Sequence, residues 1–232
     1  MKALRYRSTV LVIIACLVVA TSAFADVQLL DFFGFDWFWP TDIGEVGSCY
    51  AAVGFVSTVN PTFLNFDYGN NEYTFNWDYA CFVSADTFGT TAVYTYDGST
   101  SGFDVYCDSI ATGTAADYGI NPPNAVSPGT WSDGDRVLEG DWMGDITLVV
   151  NITNGMGSVS GTVNWVGGSQ LSGIPVESRN MSLTLAGLLF DPPNGPEGYH
   201  WQIDGQVFIE EPTPVTETTT WGALKTGFQG GN

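Results

Sequence analysis

The sequence predicts an all-β fold, an antiparallel β-sandwich or barrel of about nine strands with a short C-terminal helix or tail. The clearest strand is Tyr73–Val83, in which every second residue from Tyr73 is large or apolar and most of the others are polar. That period of two is typical of a strand with one buried face. Similar stretches recur between turn signals, and no helical period occurs before residue 212. Both observations favour antiparallel β-sheets.

Ahead of the first strand, residues 1–25 are predicted to be a secretory signal peptide. Three basic residues among the first seven precede an apolar run from Val10 to Ala20, and Ala23-Phe24-Ala25 matches an A-x-A cleavage site. We expect the mature chain to begin at Asp26. The alternatives are an uncleaved membrane anchor, which the short apolar run disfavours, and lipidation at Cys16, which the apolar residues after it disfavour.

The chain is strongly acidic, with 25 Asp and Glu residues, six Lys and Arg residues and a formal net charge of −19. Three of the six basic residues lie in the predicted signal peptide. So few cations cannot neutralise phosphates, which excludes nucleic acid as a partner and disfavours anionic lipid. The composition suits an extracytoplasmic protein that binds a cation or a neutral ligand such as a glycan, or that is simply soluble.

Three cysteines follow the predicted signal, namely Cys49, Cys81 and Cys107. In a simple meander, the strand Thr90–Tyr96 would separate Cys81 from Cys107 by two strand spacings, roughly 9.5 Å, which exceeds the reach of a disulfide. We therefore predict a Cys49–Cys81 disulfide and a free Cys107. No C-x-x-C motif or Cys/His cluster indicates a zinc site.

The first half of the chain contains four strand candidates besides Tyr73–Val83. Asp26–Pro40 is rich in aromatic residues without a clean period, and we expect a strand or arm that packs on the core, the alternative being an aromatic platform. Cys49–Val59 is a small apolar strand candidate. Thr90–Tyr96 and Gly102–Cys107 flank Asp97-Gly98, which predicts a two-residue hairpin.

The second half begins with a long loop. Asp108–Trp131 shows no strand pattern, and structureless loops of this length are often functional. Asn154-Gly155 predicts a hairpin between two alternating strands. We expect the remaining strands at Arg136–Glu139 and from Met181 and Tyr199 onward, with loops at Gly167–Pro175 and Asp191–Gly198, all within one domain of residues 26–210.

The chain closes with two segments outside that domain. Residues 211–220 read as a Pro/Thr linker, and residues 221–232 form a tail. Trp221, Leu224 and Phe228 would share one face of a short helix. Because so short a helix is marginal alone, we expect it to dock on a partner surface.

Parts of the sequence resemble a group of uncharacterised secreted bacterial proteins. The resemblance lies in the tail pattern T-x-W-G-x-x-K (Thr219, Trp221, Gly222 and Lys225), in Asn121–Ala125 and in Pro196–Tyr199. This chain ends in Phe-Gln-Gly-Gly-Asn, whereas the group ends on a basic residue. The resemblance implies secretion, and it implies no catalytic residue.

Two enzymatic chemistries find little support. His200 is the only histidine and no G-x-S-x-G motif is present, so a Ser-His-acid triad is disfavoured. Glu139, Asp141 and Asp145 superficially resemble the E-x-D-x-x-E strand of β-jelly-roll glucanases, but the last acid falls one place late and glycines interrupt the strand.

A structural calcium ion is the one cofactor we consider. Calcium binds six to eight oxygen atoms, and carboxylates and carbonyls supply them. Asp133, Asp135, Asp141 and Asp145 are dense and lie among glycines, which makes them the candidate metal ligands. The alternative is that Asp133-Gly134-Asp135 is only a turn.

The long loops carry the candidate ligand-binding residues Tyr118, Trp131, Asp117 and Glu197. Aromatic rings can stack on sugar rings, and carboxylates accept hydrogen bonds from hydroxyls. Such a site requires the loops to converge. We therefore expect a binding or structural module, in the periplasm or at the cell surface, that contacts a glycan or cell-envelope component. The alternative is a carbohydrate-active enzyme or carbohydrate-binding module.

Overall fold

The computed structural model describes residues 27–119, 128–189 and 195–209. These ranges form ten strands and three 3₁₀ turns: β1 (Val27–Trp39), β2 (Cys49–Val59), β3 (Asn71–Phe88), β4 (Thr91–Asp97), β5 (Phe103–Ser109), β6 (Asp135–Trp142), β7 (Asp145–Asn151), β8 (Met156–Gly167), β9 (Asn180–Leu189) and β10 (Trp201–Ile209), with turns at Pro128–Trp131, Leu171–Gly173 and Val176–Ser178. The all-β prediction is therefore confirmed. The predicted signal peptide, the linker and the tail residues Trp221, Leu224 and Phe228 lie outside the described residues.

The strands form one antiparallel sheet that closes into a barrel-like ring. β1 pairs with β2 on one side and with β10 on the other, so the first and last strands meet. Around the ring the order is β2-β1-β10-β9-β8-β6-β5-β3-β4-β7, and the pairings β2–β3 and β7–β8 complete the closure. We call the end where β1 runs into β2 the upper end, and the end with Val27 and Ile209 the lower end.

Two positions in the ring are each occupied by an interrupted strand. β4 pairs with the second half of β3 and β5 with its first half, so the two lie end to end. β6 and β7 lie end to end in the same way against β5 and β4. The prediction that Asp97-Gly98 makes a hairpin between β4 and β5 is therefore wrong, because both segments run in the same direction along β3. The Asn154-Gly155 hairpin between β7 and β8 is confirmed.

The inside of the ring is filled by the main hydrophobic core. Trp77, Trp165 and Trp201 are at most 1% exposed, as the alternating pattern predicted. Some glycines on the inner face make room for these rings. A Cβ on Gly140, for example, would lie 3.1 Å from Cε3 of Trp165.

Strand β3 changes its buried face halfway along. Tyr73, Phe75 and Trp77 point inward as predicted, but the pairing with β2 shifts register after Trp77, and Ala80 becomes the next fully buried residue. As a result Cys81 and Val83, which the simple period placed inside, are exposed.

The predicted disulfide is confirmed, for a different reason. Cys49 and Cys81 face each other across β2 and β3 and are bonded, and Cys107 is free. Cys107 pairs with Tyr73 near the lower end of β3, eight residues from Cys81 along the strand. The two thiols are thus separated along β3 and not across an intervening strand.

Candidate functional site

Aromatic residues cover part of the outside of the ring, on β1 and β2. Because residues alternate between the two faces of a strand, Phe35 and Trp37 of β1 point outward, away from the core residues Phe32 and Phe38. Phe55 of β2 joins them on this face. Loop residues complete a second apolar cluster, the outer aromatic cluster, which consists of Phe35, Trp37, Phe55, Tyr79, Tyr118, Trp131 and Tyr199.

Hydrogen bonds hold two loops against this cluster. The indole N–H of Trp131 donates to the carbonyl of Asp117 at 3.0 Å, and the Thr74 hydroxyl of β3 donates to the carbonyl of Trp131 at 3.0 Å. The Tyr199 hydroxyl donates to the carbonyl of Tyr118 at 3.0 Å. The loop after β5 and the loop before β10 therefore meet on the outer face, although they leave the sheet at opposite ends.

The structure corrects the expected role of Trp131. Its side chain is fully buried, with the Tyr118 ring 4.5 Å from it between centroids. Tyr118 is half-buried, and desolvation raises the pKa of its hydroxyl. Both rings serve as packing for the outer face of β1 and β2, so Trp131 has no face open for a sugar. Asp117 and Glu197 are exposed at the margin of the cluster.

The four aspartates proposed as calcium ligands are spread along β6, the start of β7 and the bend before β6, and they do not form one group. Asp135 pairs with Cys107 near the lower end, Asp141 pairs with Asn164 midway, and Asp145 begins β7 opposite Asp97. Within the described ranges, no group of three or more His, Cys, Asp or Glu side chains could hold a metal ion. Asp133 and Gly134 lie in a bend that leads into β6 at Asp135.

The residues considered for catalysis have structural contacts instead. Glu139 forms an ion pair with Arg136 at 3.0 Å, and the same guanidinium reaches Asp104 at 3.2 Å. The Nδ1 atom of His200 accepts a hydrogen bond from the backbone N–H of Phe38 at 3.4 Å. These contacts join β6 to β5 and the residue before β10 to β1.

An exposed aromatic patch lies next to the outer aromatic cluster. Phe33 of β1 is 44% exposed, and its ring centroid lies 5.7 Å from that of Phe55. In the ladder with β10, Phe33 pairs with Asp204, and its neighbour Asp31 pairs with Gln206. Gln206 donates to the Asp31 carboxylate at 3.4 Å. We call Phe33, Phe55, Asp31, Asp204 and Gln206 the Phe33 patch.

Sequence reasoning missed this patch because β1 carries aromatic residues on both faces. Phe33, Phe35, Trp37 and Trp39 point outward, whereas Phe32 and Phe38 point inward, so no single apolar period is visible. No signal in the sequence identifies the phase of this strand, because the inward positions between Phe32 and Phe38 hold Gly34 and Asp36. An aspartate on the buried face is the opposite of what hydrophobic patterning predicts.

No family model, curated protein or solved structure matches this chain. In the part of the chain that the structure describes, no helix has the length and hydropathy needed to cross a membrane.

Proposed function

We propose that this protein is an extracytoplasmic binding or structural module, and that it contacts its partner through the outer face of the ring at the Phe33 patch. The carrying observation is the exposed ring of Phe33 beside Asp204 and Gln206. The inner face offers less, since large aromatic side chains fill the core. The Cys49–Cys81 disulfide is compatible with an oxidising compartment outside the cytoplasm.

The ligand class that best fits the Phe33 patch is a neutral glycan. A sugar presents an apolar ring face and hydroxyl groups together. Phe33 and Phe55 supply apolar faces, while Asp204 and Gln206 supply hydrogen-bond acceptors and a donor. The strongly acidic chain disfavours an anionic ligand, whereas a neutral one carries no electrostatic penalty.

A glycan array probed with the wild-type domain and with two matched variants tests this proposal. Phe33→Ala removes the exposed ring from the patch. Phe88→Ala removes a ring that is 69% exposed at the far end of β3 and serves as the control. We expect binding to fall at least tenfold in Phe33→Ala and to be unchanged in Phe88→Ala. Equal losses in both variants, or no bound glycan for the wild type, would contradict the proposal.

A further inference from the structure

A group of polar atoms lies buried inside the upper half of the ring. It comprises the carboxyl of Asp36, the hydroxyls of Tyr50 and Tyr96, and the indole N–H groups of three tryptophans. Each of these atoms is inaccessible to solvent and lacks a hydrogen-bond partner among the described residues. We call these side chains the interior polar cluster: Asp36, Tyr50, Tyr96, Trp77, Trp142 and Trp201.

Four rings of the interior polar cluster lie side by side, and the other two members are ladder partners. The Tyr50 ring lies 4.9 Å from Trp77 and 6.1 Å from Tyr96, and Trp77 lies 4.3 Å from Trp142, all between ring centroids. Asp36 pairs with Trp201 in the β1–β10 ladder. The Tyr50 hydroxyl and the backbone of Trp201 lie close enough to act on the Asp36 carboxyl, and the backbone of Gly44 acts on the Tyr96 hydroxyl. None of these contacts has the full geometry of a hydrogen bond. One shared environment therefore contains all six groups.

Two of the indoles turn their nitrogen edges away from β8 and β9. A Cβ on Gly161 would lie 2.7 Å from Cζ3 of Trp142, and one on Gly157 would lie 2.8 Å from Cη2 of Trp201. These carbons belong to the six-membered rings, so the benzo edges face the glycines. The N–H groups are therefore not used by strand β8, whose glycines only make room for the rings.

Small residues stand opposite the polar ones. Asp36 pairs with Ala52 and Tyr50 pairs with Ala80, and both alanines are fully buried. An alanine does not extend far enough to cover its neighbour's polar atoms. Buried polar atoms in folded proteins almost always form hydrogen bonds, either to other protein groups or to ordered water. We therefore expect a bound ligand beside those polar atoms of the cluster that no described residue satisfies.

The chemistry of the six groups defines that ligand. Indole N–H groups only donate, so the ligand must accept hydrogen bonds. Three donor groups in a cluster with a single carboxyl group disfavour a cation, and the carboxyl group disfavours an anion. Tyrosine hydroxyls both donate and accept, as does a protonated carboxyl. We propose that the interior polar cluster is a binding site for ordered water, held chiefly by Asp36, Tyr50 and Tyr96.

Magnetic resonance on ¹⁵N-tryptophan-labelled protein tests the proposal in solution. Bound water close to an indole N–H proton gives a cross-peak between the water signal and that proton, and the sign of the cross-peak is the one expected for a long-lived contact. We expect such cross-peaks for at least one of Trp77, Trp142 and Trp201. Trp131 and Trp165 are the internal controls, because they are equally buried but donate to the carbonyl of Asp117 and to the sulfur of Met181. Single Trp→Phe variants assign the signals.

A crystal structure of the wild-type chain separates water from the competing explanations. Solvent density at about 2.7–3.2 Å from an Asp36 oxygen and a Tyr50 or Tyr96 hydroxyl would support the site. Three results would overturn it: direct hydrogen bonds between these side chains that leave no solvent, a coordinated cation, or water cross-peaks no stronger at the three indoles than at Trp131 and Trp165.

Discussion

At the scale of single residues, Asp36 is the side chain with the clearest expected dependence on pH. Full burial holds the pKa of its carboxyl well above the ordinary value, with the Tyr50 hydroxyl and the backbone opposing that shift in part. The folded state therefore keeps a proton that the unfolded chain loses above about pH 4. Folding stability from this group is greatest below that pH and falls as the pH rises toward the folded-state pKa.

The Asp36→Asn variant tests this expectation, since asparagine has nearly the same shape and does not titrate. We expect the free energy of unfolding, measured in urea between pH 4 and 8, to fall less steeply with pH in the variant than in the wild type. The titratable groups that face Asp36 are Tyr50 and Tyr96, whose raised pKa values keep them neutral in this range, and His200 packs nearby against Phe38. The exposed Asp86→Asn is the control, and equal slopes for Asp36→Asn and wild type would contradict the assignment.

At the scale of elements, strand β10 closes the ring only because Gly205 has no side chain. A Cβ at this position would collide with Cζ of Phe32 and lie 2.7 Å from Cβ of Leu185, on the strand to either side. We expect Gly205→Ala to destabilise the protein by about 1–3 kcal/mol, the usual cost of overpacking a core. Chemical unfolding of the variant measures this.

A second substitution shows whether the clash is the cause. Phe32→Leu shortens the opposing side chain, so the double variant should lose less stability than the sum of the two single variants. Gly129→Ala, where a Cβ would meet nothing within 4 Å, is the control and should change stability by less than about 0.5 kcal/mol. Strict additivity would show that Phe32 does not oppose Gly205.

At the scale of the whole molecule, the Cys49–Cys81 disulfide constrains the unfolded chain. It links positions 32 residues apart, and closing a loop of that size in the unfolded state stabilises the fold by about 2–4 kcal/mol. We expect the paired Cys49→Ala, Cys81→Ala variant to lose that amount in urea unfolding. Cys107→Ala should lose less, because its thiol is free, and reduction by dithiothreitol should affect only chains with the intact bond. Equal stability with and without the bond would contradict this view.

The alternation of apolar and polar residues, together with the turn residues between strands, predicted most of the strands, since each alternating stretch has one apolar face. They did not predict where a strand changes phase. The register shift after Trp77 turns Cys81 outward. This shift belongs to the pairing between β3 and β2, so the sequence of β3 alone does not show it. Nor could they show that Asp97-Gly98 joins two collinear segments, because a turn signal carries no information about direction.

The candidate site was harder to predict, because exposure depends on what covers a side chain. Trp131 lies in a loop, so its sequence position predicts an exposed side chain, but it is buried against the outward aromatic residues of β1 and β2. Phe33 is an aromatic residue of a strand, which predicts a core position, yet its side chain is exposed. Asp36 is polar in sequence but points into the ring. Each of these depends on contacts between segments far apart in the chain.

The closure of the ring by β1 and β10 also determines when the chain can finish folding. Its outermost pair joins Val27 to Ile209, near the two ends of the domain. Folds dominated by such distant contacts form slowly, because a long loop must be closed before the contact forms. Until β10 has been synthesised, β1 and β9 each keep an unpaired edge that can join another chain. We therefore expect incomplete chains to associate with one another through these two strands, and this tendency to end once residue 209 is available.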